Sequence, residues 1–250
     1  MAIRNILLSA IVVGILSGLL YGLFQHSQIS PIIYAAEVYE VAEEEAPEAA
    51  VAGHSHSHQT DTQDHHAAEP WGPEDGFERI AYTVSADIAV AIAFAMIMIS
   101  LMALHNHKAN KPKVNVLFGA AWGVAALLSF FVAPAMFGLH PEVPGTEAAV
   151  LDNRQAWWLF CALASVAGIA IVYYAPKMFK LAGVALILAP HIIGAPMPEH
   201  HGFANTDPAA VLALTDLTQQ FFIMTAVGMA IFFVLVGSLS GYAVQRYVKL

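Results

Sequence analysis

NILLSAIVVGILSGLLYGLF, residues 5–24, carries no charged residue and follows Arg4 directly. Twenty residues of helix rise about 30 Å, the thickness of a bilayer's hydrocarbon core. A cleaved leader has a shorter apolar core of roughly 7–15 residues. The run therefore reads as a retained membrane helix with signal-anchor character. The competing reading, a cleaved leader, would use the later AAE at 35–37.

The same pattern recurs along the chain. Residues 80–104, 114–137 and 156–174 are apolar runs of spanning length, and 216–243 is a longer one. Residues 181–197 are also apolar but shorter, and Pro190, Gly194 and Pro196 interrupt them. The expected fold is an all-α, polytopic membrane helix bundle of about six transmembrane helices, the fifth short and broken by Pro and Gly. The whole chain, 1–250, forms one integral membrane domain. Composition agrees: only 12% of residues are charged and 58% are hydrophobic, where soluble domains average about 25% charged.

Charge supplies the orientation. Arg4, Lys108, Lys111, Lys113, Lys177, Lys180, Arg246 and Lys249 fall at alternate ends of a six-helix path; Arg79 and Arg154 are the exceptions. Basic residues flanking membrane helices are retained on the cytoplasmic side. Both termini are thus expected in the cytoplasm of a bacterial-type inner membrane. The acids lie opposite: twelve of the nineteen fall between Glu37 and Glu78, in the first outer loop. That loop, 27–79, is the one long connection, extracytoplasmic, acidic and rich in histidine. Its start, PIIYAAEVYE, can continue as an amphipathic helix, and WGPEDGFERIAYT reads as a turn entering the second membrane helix. The net charge of −9 argues against a nucleic-acid partner, which needs a basic face.

Within the loop, AGHSHSHQTDTQDHH places His54, His56, His58, His65 and His66 beside Asp61 and Asp64. Neutral imidazole is the commonest metal ligand, and a mixed nitrogen and oxygen set suits borderline divalent ions. Such a tract concentrates metal without selecting it, because raw affinity follows the Irving–Williams order. The alternative is a soluble acidic spacer. Inside the membrane the candidate ligands are Asp87 and His191, with His26, Asp216, Gln219 and Gln220 near the outer boundary. Ionisable groups at such depth are costly and face a bundle interior or a wet path. His191 follows Pro190, so a broken helix would offer both imidazole and free carbonyls to an ion; otherwise it joins two helices by a hydrogen bond. Asp87 either serves an ion or pairs with Arg79 or Arg154. His105 and His107 either take an ion on the inner side or, the preferred reading, form a solvated helix end beside lysines. Gly14, Gly18, Gly119 and Gly123 need no role beyond close helix packing.

No GxxxxGK[ST], HExxH, GxSxG or CxxC occurs, so neither nucleotide hydrolysis by a P-loop nor a familiar catalytic arrangement is present. The chain is not expected to be an enzyme or to hold a tightly bound cofactor.

AEVYE (36–40), WGPEDGFERIAYT (71–83), GLHPEVPG (138–145), RQAWW (154–158) and APHIIGAP (189–196), in that order between membrane helices, resemble the proposed cobalt transporter subunit family CbtA over essentially the whole chain. Glu37, Glu40, Trp71, Asp75, Glu78, Arg79, Arg154, His191 and Pro196 stand where that pattern has matching residues. At His140 the pattern implies a proline, so no ligand role is carried to it. The resemblance implies uptake of Co2+, with Ni2+ or Zn2+ as related cargo, for vitamin B12 biosynthesis. It also implies a small single-helix, histidine-rich membrane partner (CbtB-like) besides membrane lipid. The alternative is a membrane accessory that binds and delivers metal without transporting it.

Overall fold

The computed structural model of the protein describes residues 2–44, 72–106 and 113–248. Eight α-helices carry nearly all of its regular structure: α1 Ala2–Phe24, α2 Ser30–Glu44, α3 Phe77–Asn106, α4 Val116–Leu127, α5 Ala133–Met136, α6 Leu151–Tyr174, α7 Lys180–Ile193 and α8 Pro208–Arg246. Among the described residues there is one isolated antiparallel bridge, Thr146 with Phe203. Among the described residues, five helical stretches are long and apolar enough to cross a membrane: Ile3–Glu40, Phe77–Asn106, Val116–Met136, Leu151–Tyr174 and Pro208–Arg246. Their outward faces bear large apolar side chains such as Leu8, Leu20, Leu101 and Leu163, each at least 44% exposed. Water would penalise such surfaces and lipid does not.

Helix ends are set locally. Asn115 caps α4 by accepting from the Phe118 amide at 2.8 Å. Asp207 caps α8 by accepting from Ala209 and Ala210 at 3.1 and 3.0 Å, with Pro208 following in the first turn. These side chains satisfy amides that have no partner inside the helix. Gly194, at φ 88°, ends α7.

Two prolines explain two departures from α geometry. Residues 25–29 and 128–132 are π-helical turns, and each ends two residues before a proline, Pro31 or Pro134. Proline lacks an N–H and crowds the preceding turn. A widened turn, with Ser30 N–H reaching Gln25 O and Ala133 N–H reaching Leu128 O, accommodates the ring without ending the helix. The first helix thereby continues through Pro31 to Glu44. The segment read as the start of a loop at residue 27 is helical for eighteen residues more.

The sequence-predicted fifth helix is short, as expected. Fourteen residues rise about 21 Å, below the thickness of a bilayer core. It is not broken at Pro190, however. That residue lies in the last turn, where a missing N–H costs one hydrogen bond. Its carbonyl accepts from the Gly194 amide at 3.0 Å and from Trp157 Nε1 at 3.2 Å. The stop falls at Gly194. α7 runs back along α6 far enough to reach Trp157, near the start of that helix. The Asn5 side chain donates to the Tyr247 carbonyl at 2.9 Å, which places both termini at one end.

Glycine determines how closely the helices approach. A Cβ added at Gly119 would lie 2.3 Å from the Gly237 carbonyl, and one at Gly237 would lie 2.4 Å from the Gly119 carbonyl. α4 and α8 therefore touch backbone to backbone. Gly14 and Gly18 seat α1 on Ile92 and Ile88 of α3, and Gly168 meets Gly183 between α6 and α7. This is the packing role expected for Gly14, Gly18, Gly119 and Gly123. The main core lies between α1, α3, α4 and α8, where Phe94 packs edge-on against Phe130, Phe232 and Phe233. A second, small core of Ala36, Val143 and Leu214, with Tyr39 and Phe203 against it, joins α2 and the first turns of α8 into a cap beyond the bundle. α8, with 39 residues, is about 58 Å long and so extends well past one side of a membrane.

Gly119→Ala should destabilise the protein by about 1–3 kcal/mol, the usual cost of overpacking, because the atom it meets is backbone. Gly72→Ala, with nothing within 4 Å, should leave stability unchanged. Unfolding midpoints in detergent distinguish the two.

Candidate functional site

The acid-bearing end of the bundle is assembled around Arg79, in the first turn of α3. Its guanidinium grips both oxygens of Glu37, with Nη1 3.2 Å from Oε2, and also reaches Asp75 Oδ1 at 3.0 Å. It lies 4.8 Å from the centre of the Tyr34 ring. A planar fork suits a carboxylate and an aromatic face together. The arrangement ties α2 to the entry of α3. Arg154 makes a corresponding bond to Glu142 at 2.6 Å. Neither arginine is paired with Asp87.

Asp87 instead faces α1. With the Gln25 amide turned nitrogen-first, as its surroundings require, it donates to both Asp87 oxygens at 3.0 and 3.2 Å. Gly22 leaves the space: a Cβ there would lie 3.3 Å from Asp87 Oδ2. Beside this contact is a polar cavity of about 110 Å³, whose walls include Gly22, Gln25, His26, Ser30, Arg79 and Thr83. Gln25, His26 and the Ser27–Ile29 backbone belong to the first π-helical turn. The widening caused by Pro31 thus opens the polar recess. His26 is exposed, so the recess communicates with the surroundings of the bundle. Its polar lining is the His26 imidazole, the side chains of Ser30, Tyr34 and Thr83, and the Arg79 guanidinium, and Gln25 connects it to the Asp87 carboxylate.

His191 lies elsewhere, in the last turn of α7, between the rings of Phe137 at 5.4 Å and Trp157 at 6.1 Å. Its Nδ1 is buried and has no hydrogen-bond partner among the described residues. The Pro190 carbonyl beside it is already doubly engaged, so the free carbonyl expected of a broken helix is absent there. Asp216 is exposed on the outer turns of α8, as are Gln219 and Gln220. The structure thus brings His26 and Asp87 to one seam and leaves His191 and Asp216 apart from it. Among the described residues no three His, Cys, Asp or Glu side chains converge. His54, His56, His58, His65 and His66 lie outside the described residues.

One residue was misread. His105 is not a solvated helix end: it is 2% exposed. Its Nδ1 lies 2.8 Å from the Tyr174 hydroxyl, and Phe118, Trp122 and Tyr173 surround the ring. The signal available in the sequence was the aromatic content of the facing helices, Phe118, Trp122 and the Tyr173–Tyr174 pair.

The profile of the family described as "Probable cobalt transporter subunit (CbtA)" matches residues 3–245. The chain belongs to the CbtA family. No curated protein and no solved structure matches it. The Glu37, Asp75 and Arg79 positions of the CbtA resemblance now have a structural reason, since they form one ionic cluster. Arg154 has one too, through Glu142. In this CbtA chain those positions hold the cap in place, and Arg79 also lines the recess beside them.

Arg79→Met and Glu37→Gln should each lower the unfolding midpoint, and the double variant should cost less than the sum. A coupling of about 1 kcal/mol is expected for two charges in contact. Additive losses would show that the pair does not stabilise the cap.

Proposed function

We propose that this CbtA chain imports Co2+ across a bacterial-type inner membrane, with both termini in the cytoplasm, and supplies it to vitamin B12 biosynthesis. The observation that carries the reading is the segregation of charge between the ends of the bundle. Arg4, Lys113, Lys177, Lys180 and Arg246 lie at the end with the termini, while Glu37, Asp75, Glu142, Glu147 and Asp207 lie at the other. Family membership supplies the cargo.

The path has three stages. The acidic outer segment, with His54, His56, His58, His65 and His66, raises the local cation concentration through its field and weak ligation. His26 and Asp87 at the α1–α3 seam then take the partly hydrated ion, with Gln25 holding the carboxylate in place. Asp216 on the cap and His191 at the end of α7 are further ligands on the outer side. Inward movement is favoured by the membrane potential, about 2.3 kcal/mol per charge per 100 mV and so about 4.6 for a dication. Ni2+ and Zn2+ compete for the same donors. A CbtB-like single-helix, histidine-rich partner completes the assembly, and no catalytic step or tightly bound cofactor is involved.

The second reading is a membrane accessory that binds and delivers metal without moving it. It is favoured by the absence of a three-ligand cluster among the described residues. Uptake of labelled cobalt into proteoliposomes separates the two. Transport predicts uptake above that of empty vesicles, with the chain alone or with its partner. Asp87→Asn and His191→Ala should reduce it at least tenfold at all metal concentrations. Deletion of 52–69 should reduce it chiefly at low metal. Uptake that never exceeds the empty-vesicle rate would contradict import and favour delivery.

A further inference from the structure

α3, α4 and α6 do not close against one another. Between them lies a fissure of about 660 Å³, within the roughly 300–1,000 Å³ typical of ligand pockets. Ile97, Leu101, Trp122, Ala125, Ile169 and Ala170 are among its walls. Its Ser129 hydroxyl is already bonded to the Ala125 carbonyl at 2.9 Å. A site with so few free polar partners does not hold water. In a bilayer the material at hand to fill it is hydrocarbon.

One end of the fissure is different. There His105 and Tyr174 line it, joined at 2.8 Å. Cations stand just beyond them. Lys113 Nζ donates to the carbonyl of Asn106, the residue next to His105, at 2.7 Å. Lys177 and Lys180 follow Tyr174 by three and six residues and are exposed. Nothing opposes them in the nearby sequence: no Asp or Glu occurs between residues 88 and 141, or between 153 and 198. An apolar slot that ends near three lysines, with no Asp or Glu in the sequence around them, complements an amphiphile with an apolar tail and an anionic head.

We propose that this fissure is a binding site for an anionic phospholipid. One acyl chain lies between α3, α4 and α6, and the phosphate meets Lys113 and Lys177 at the basic end, close to the His105–Tyr174 pair. Basic pockets between membrane helices take acidic headgroups in this way. The site lies at the opposite end of the bundle from the cation recess, so it is independent of the cargo. By filling the gap, the lipid joins the α6–α7 pair to the rest of the bundle.

The full-length protein in mild detergent, supplied with either dioleoylphosphatidylglycerol or dioleoylphosphatidylcholine, tests this. Retained lipid is counted by native mass spectrometry, and the unfolding midpoint is followed in parallel. Phosphatidylglycerol should be retained preferentially and should raise the midpoint more. Lys113→Gln and Lys177→Gln should each lower that preference about fivefold. Ala170→Trp, which fills the slot, should expel both lipids while the protein remains folded. Equal retention of the two lipids would overturn the proposal. So would a phosphatidylglycerol preference that survives all three variants. A co-purifying transmembrane polypeptide that Ala170→Trp displaces, in the absence of lipid, would assign the fissure to a helix instead.

Discussion

Gly119 on α4 and Gly237 on α8 meet backbone to backbone, and a single methyl group on either would meet a carbonyl oxygen at about the length of two bonds. In a bilayer no water drives apolar helices together, because lipid tails are as apolar as leucine. What remains is close packing, and close packing depends on residues small enough to permit it. The same device recurs where α1 lies on α3 and where α6 meets α7. Each pair is fixed this way, and the larger aromatic core around Phe94 fills the space the pairs enclose. No glycine seam joins α6 to the α3–α4 face, and there the fissure lies.

A second constraint acts along the helices. Every backbone amide at membrane depth needs a partner inside the protein. Pro31 and Pro134 each remove a donor, and the chain responds with a π turn rather than a break. The turn before Pro31 has a chemical consequence: it brings Gln25 against Asp87 and opens the recess that holds His26. A carboxylate at that depth is tolerated because the Gln25 amide donates to it. The packing rule and the backbone rule thus meet at the α1–α3 seam, where Gly22 gives Asp87 its room.

Much of this was legible in the sequence. The apolar runs gave the helices, and the alternation of lysines with acids gave a path whose ends the Asn5–Tyr247 contact brings together. The glycines were assigned to packing, as found. Three points were not legible. The continuity of the first helix through residues 25–31 was not visible, because the loop was expected to begin at residue 27 and the π turn that carries the helix past Pro31 has no sequence signature of its own. His105 read as solvated because its sequence neighbours are polar, whereas its surroundings come from α4 and α6, thirteen to sixty-nine residues away. Arg79 and Asp87 are eight residues apart and looked like partners. The helix turns them toward different neighbours, Glu37 and Gln25.

In the proposed import path the ion enters at the acid-bearing end, at the recess formed by the π turn. Ser30 lines that recess and can report on it. With Cys161 replaced by alanine, a Ser30→Cys chain can be labelled with a membrane-impermeant thiol reagent, alongside a Lys177→Cys chain as the control at the basic end. Added Co2+ should slow labelling at position 30 and leave position 177 unaffected, and Asp87→Asn should remove the protection. Equal labelling rates at position 30 with and without Co2+ would contradict the central claim.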